Sequence, residues 1–149
     1  MNGSNPRAMT PRTVRPTVFI YPLGLWLVMA VIAVINGIFR EVMLIPQTGE
    51  QVGHVISTAL LIAAILTLSY FYFTKSAINY TRAELVGIGV VWVVLTVGFE
   101  FIVGYLEEVP VSETVAQYDV LAGQVWVFVP LALLIAPLVF GAYLDRSNR

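Results

Sequence analysis

Hydrophobic residues run almost unbroken through four stretches of this chain, and most of the charges fall between them. No Asp, Glu, Lys or Arg lies between Arg15 and Arg40, between Glu50 and Lys75, or between Asp119 and Asp145. Each gap exceeds the ~20 residues that an α-helix needs to cross ~30 Å of hydrocarbon. A further run, Leu85 to Tyr105, is broken only by Glu100. The pattern predicts an all-α fold, a four-transmembrane-helix bundle with spans near 18–39, 52–73, 85–106 and 121–144. Four such helices leave no room for a separate soluble domain in 149 residues. A single membrane domain over 18–144 is therefore expected, with an arm before it and a short cytoplasmic tail, 145–149, after it.

Composition agrees with that pattern and charge orients it. The chain is 58% hydrophobic and 11% charged, with a mean hydropathy of +0.85, whereas soluble domains carry roughly 25% charged residues. Arg7, Arg12 and Arg15 precede the first span, Lys75 and Arg82 lie between the second and third, and Arg146 and Arg149 follow the fourth. Only Arg40 falls on the other side, next to a purely acidic segment carrying Glu107, Glu108, Glu113 and Asp119. The excess of Lys and Arg on cytoplasmic loops then places both termini in the cytoplasm. Residues 1–17 combine Pro6, Pro11 and Pro16 with three arginines. They have too little apolar surface to bury and read as a disordered basic arm.

The same inventory excludes several functions. With no cysteine, thiol–disulfide chemistry, iron–sulfur clusters and c-type haem attachment are ruled out. No basic stripe with interleaved aromatics marks a nucleic-acid surface. The expected partners are the lipid bilayer and either further copies of the chain or a larger membrane complex. Aromatic residues, among them Trp26, fall where a membrane–water boundary would hold them. Small residues four apart, Ala33/Gly37 and Ala59/Ala63, allow close helix contact. Pro130 and Pro137 share a face of the fourth span and can bend it.

Candidate chemistry gathers around Glu100. An ionisable side chain within a span costs a few kcal/mol, so it normally faces inward, finds a partner and serves a purpose. Glu100 lies about six residues, roughly 9 Å, from the outer end of its helix. Arg40 on the first span reaches a similar depth, and an Arg40–Glu100 ion pair is the simplest way to accommodate both. Asn36 and Glu41 lie beside Arg40, His54 opens the second span, Trp92 and Thr96 share a stripe with Glu100, and Asp119 opens the fourth. These eight residues define an expected outward-facing polar site for an ion or small polar solute. The alternative is a polar clasp within a bundle. His54 is the only histidine, and no pair of acids near it has a zinc or di-iron spacing, so neither metal nor cofactor is expected.

Asn36-Gly37-x-x-Arg40-Glu41, Gly53-His54-x-x-Ser57, Trp92-x-x-x-Thr96-x-x-Phe99-Glu100-Phe101-x-x-Gly104 and Tyr118-Asp119-x-x-x-Gly123-Gln124-x-Trp126 resemble a family of small, uncharacterised four-span prokaryotic membrane proteins. The resemblance covers most of the chain from the first span onward. It implies the four-helix layout, a place in a prokaryotic cytoplasmic membrane, and no activity. Two functions remain: a small transporter or channel-like protein, or a non-catalytic accessory or assembly subunit of a larger membrane complex. A membrane-embedded enzyme using the carboxylates and His54 lacks a recognisable nucleophile or metal motif and ranks behind both.

Overall fold

The computed structural model describes residues 14–143, and no strand occurs among them. Five helices follow in chain order: α1 (Pro16–Thr48), α2 (Glu50–Lys75), α3 (Arg82–Leu106), α4 (Val111–Ala116) and α5 (Phe128–Tyr143). α1, α2 and α3 are each long and apolar enough to cross a membrane. α5 is apolar but shorter; at 1.5 Å per residue it falls short of the ~30 Å hydrocarbon thickness. The expected arm lies outside the described residues as far as residue 13, and so does the expected tail. Pro16 and Thr17 already belong to the opening 3-10 turn of α1, where proline's missing N–H costs nothing.

Local sequence sets the helix ends. Gly49, at φ +86°, is the single residue between α1 and α2, and only glycine adopts that backbone without strain. Just before it, Arg40–Leu44 forms a π-turn, the kind of local widening that recurs at functional sites. Thr81 caps α3 in a capping box, its hydroxyl accepting from the Glu84 N–H while Glu84 accepts from the Thr81 N–H. Pro137 lies inside α5, and a π-turn over Val139–Tyr143 follows it. A proline deletes one i→i−4 bond and disturbs the ladder around it.

The helices alternate in direction and pack in the spatial order α1–α2–α5–α3. α1 runs antiparallel to α2, with Asn36 facing Ser57. α2 runs parallel to α5, with Gln51 bonded to the Gly123 carbonyl and Tyr70 edge-on to Phe140. α5 returns antiparallel to α3, where a Cβ on Gly89 would lie 2.6 Å from the Leu134 carbonyl oxygen. α3 closes the ring against α1 at one end only. There Phe19 lies on Gly87 and the Trp92 indole donates to the Pro22 carbonyl at 2.9 Å. The core follows this geometry: Leu85, Ile88 and Trp92 from α3 meet Met29, Leu61, Ile65, Phe73, Val129 and Leu133.

Two expectations change. The helix of the expected fourth span, α5, begins at Phe128, seven residues after the expected start. Asp119 caps a short 3-10 turn, Val120–Ala122, and Gly123 at φ +84° then turns the chain aside. Residues 117–127 thus form an irregular cap, although helix was expected over 121–127. The small-residue pairs also do not mark the closest helix approach. Ala59 and Ala63 are exposed, Gly37 has nothing within 4 Å of its Cβ direction, and the tight contact is at Gly89.

Candidate functional site: a cleft between α1 and α3

Because α1 and α3 touch at one end and part toward the other, they leave a cleft with a volume of about 610 Å³. Its walls are Ala33 and Gly37 on α1 and Phe99 and Val103 on α3. Leu61 and Ile65 of α2, with Val129 and Leu133 of α5, form its floor. The polar groups are concentrated toward its mouth: Arg40, Glu41, Glu100, Glu107 and Gln117. At its narrow end the Trp26 indole donates to the Thr96 hydroxyl at 2.9 Å and joins the two walls. Trp26 is therefore more than a boundary anchor. The cap supplies the remaining wall through Trp126, and helix α4 adds Thr114.

Glu100 is half-buried on the α3 wall. Its Oε1 accepts from the Trp126 indole at 2.7 Å, and its Oε2 accepts from the Tyr118 hydroxyl. Both partners come from the cap, and neither carries a charge. A phenol is a neutral hydroxyl donor, so Tyr118 holds Glu100 without bringing a charge to it.

Arg40 does not pair with Glu100. Its Nη2 lies 3.0 Å from the Glu41 carboxylate, and its Nη1 faces His54 Nδ1 at 3.5 Å. The physical reason is local: Glu41 is the adjacent residue on the same π-turn, and the cap fills the space beside Glu100. Among the described residues, Arg40–Glu41 and Arg15–Glu84 are the ion pairs. The other ring nitrogen of His54, Nε2, is buried without a partner.

The eight expected site residues therefore divide. Arg40, Glu41, Thr96 and Glu100 line the cleft. Asn36 instead clasps α1 to α2, donating to the Ser57 hydroxyl at 2.8 Å and to its carbonyl at 3.1 Å. Trp92 is completely buried in the core beside Phe73. Asp119 is a cap, accepting from the Leu121 and Ala122 N–H groups. His54 lies behind Arg40, its ring 6.5 Å from that of Trp126. No group of three or more His, Asp or Glu able to hold a metal comes together among the described residues.

Sequence reasoning passed over Tyr118, Trp126 and Trp26 as site residues, and over Glu84 altogether. The Thr81-x-x-Glu84 spacing is a readable capping-box signal. Tyr118 and Trp126 carried one only as members of the Tyr118-Asp119-x-x-x-Gly123-Gln124-x-Trp126 pattern, and Trp26 carried none beyond its place near a boundary.

No protein-family model, curated protein or solved structure matches the chain. The fold and the cleft therefore rest on their own geometry.

Proposed function

We propose that the chain is a four-span integral membrane protein, with both termini cytoplasmic, that takes a small solute into the α1–α3 cleft from the outer side for binding or transport. The cleft itself carries this reading. Its 610 Å³ falls in the range of small-molecule sites, which are mostly apolar with a few convergent polar groups. Orientation is supported by Arg15, Lys75 and Arg82, which lie at the closed end, as cytoplasmic basic residues do. Residues 117–127 would complete the fourth crossing. Tyr118 and Trp126 pack on Glu100, and Gln117 and Trp126 line the cleft; residues 119–123 are exposed and belong at the water boundary, because bare non-helical backbone is not tolerated in hydrocarbon. If the solute is transported, the Trp26–Thr96 and Trp92–Pro22 contacts are the gate that has to open. In the accessory-subunit reading the same cleft receives a helix of another protein.

Single cysteines in this cysteine-free chain separate these readings. Val103→Cys in the cleft should react with a membrane-impermeant thiol reagent applied to intact cells. Ser76→Cys, in the link between α2 and α3, should react only after permeabilisation. The reverse pattern overturns the orientation. A Val103→Cys that is shielded in native membranes but reactive once purified would favour a partner's helix over a solute.

A further inference from the structure

We propose that the occupant of the cleft is an amphiphilic organic cation, with its apolar body between α1 and α3 and its charge beside Glu100. This rests on the solute-binding reading above and specifies its ligand class. Charge balance excludes an anion. Three carboxylates, Glu41, Glu100 and Glu107, reach the cavity against the single guanidinium of Arg40, and Glu41 already neutralises that guanidinium. The carboxylate of Glu100 is bonded to two neutral donors, and no cation lies within ion-pair distance of it among the described residues. A carboxylate has about four acceptor sites, so two remain in a low-dielectric wall where a positive charge is strongly attracted.

The rest of the cavity selects against a hydrated inorganic ion. Floor and walls are aliphatic, and the rings of Trp26, Phe99 and Trp126 border the space. Aromatic faces attract organic cations, most strongly where water is excluded. Aliphatic walls offer an inorganic ion nothing in place of its hydration shell. Because α1 and α3 part along the cavity, an amphiphile already dissolved in the bilayer has a sideways route into it.

The test uses two probes of the same shape and opposite charge, tetraphenylphosphonium and tetraphenylborate, with the full chain in nanodiscs and equilibrium dialysis against protein-free nanodiscs. We expect saturable binding of the phosphonium above lipid partitioning and at least about tenfold weaker binding of the borate. Glu100→Gln should weaken phosphonium binding by about tenfold or more. Gly37→Phe, which fills the cleft from the α1 wall and keeps Glu100, should abolish it. Equal binding of both probes, no binding above partitioning, or unchanged binding by Glu100→Gln would each overturn the cationic ligand. If Glu100→Gln does not assemble, the borate comparison and Gly37→Phe decide the matter on chains that keep Glu100. A Val103→Cys that labels from outside in a protein binding neither probe would sink this inference and leave the binding reading standing. A Val103→Cys that labels only from inside would sink both.

Discussion

At the closed end of the bundle, the Glu84 carboxylate has no exposed surface and accepts four bonds. They come from Arg15 Nε at 2.9 Å, Arg15 Nη2 at 3.0 Å, the Arg15 N–H at 3.1 Å and the Thr81 N–H at 2.9 Å. At the other end Glu100 accepts two bonds from uncharged donors and looks onto a cavity. The first carboxylate has its capacity filled and a cation attached, so it holds the N-terminal segment to the start of α3 and has nothing left to offer a ligand. The second is kept in place by neutral groups and is incompletely satisfied. Buried charge alone therefore does not identify a functional site; unused bonding capacity facing open space does. The helix packing follows the same division. Backbones approach to contact at the closed end and separate at the cleft end.

The contrast breaks most sharply at the glycines. Gly89→Ala would push a Cβ to 2.6 Å from the Leu134 carbonyl oxygen and 3.1 Å from its Cα. Both are backbone atoms of α5 and cannot swing away as a side-chain tip would. The expected loss is about 2–3 kcal/mol, toward the upper end of overpacking costs, read as a lower apparent Tm in detergent. A neutral result would mean that α3 and α5 slide freely and that the closed end is not the rigid half of the molecule.

A smaller effect is expected where the cap holds Glu100. Trp126→Phe keeps an aromatic wall but deletes the donor to Glu100 Oε1. Losing one bond to a charged acceptor costs about 1.5–3 kcal/mol when fully buried, and the lower figure, about 1.5 kcal/mol, suits a group at a cavity mouth. The companion change Tyr118→Phe should cost a similar amount. The two losses together should not add, since both act through one carboxylate. A double-mutant cycle on thermal stability checks this. Strict additivity would mean that Tyr118 and Trp126 hold the cap in place independently of Glu100.

Much of the scaffold could be read from the chain, and the part that could not has a definite cause. Long apolar runs, two of them charge-free and one broken only by Glu100, located α1, α2 and α3 because a membrane-length helix needs little beyond length and apolarity. The fourth run was equally apolar, yet its first seven residues are not part of α5. Asp119 and Gly123 carry the turn signals, but hydropathy averaged over a window hides them. At the site, depth along assumed helices brought Arg40, Glu41, Thr96 and Glu100 to one cavity. It failed for Asp119, which lies on the irregular cap, for Asn36, which turns toward α2, and for Trp92, which shares the stripe of Glu100 but lies about two turns further in, at the closed end. The Arg40–Glu100 pairing failed because residue depth cannot show that an adjacent acid, Glu41, will take the guanidinium first.

The smallest expected effect sharpens the comparison with Gly89. Gly37 lies on the α1 wall, and a Cβ there would meet nothing within 4 Å. Gly37→Ala therefore adds no clash, and an alanine in a helix is favoured over glycine by about 0.5–1 kcal/mol. Stability should rise by about 0.5 kcal/mol, while the identical substitution at Gly89 lowers it. The measurement is the difference in apparent Tm between the two single variants under the same conditions. If Gly37→Ala destabilised the protein, α1 and α3 would have to meet along their whole length in the membrane, and the cleft would be closed in the resting state. Opposite signs for one substitution at two helix glycines would show that space, not helix propensity, separates the two ends.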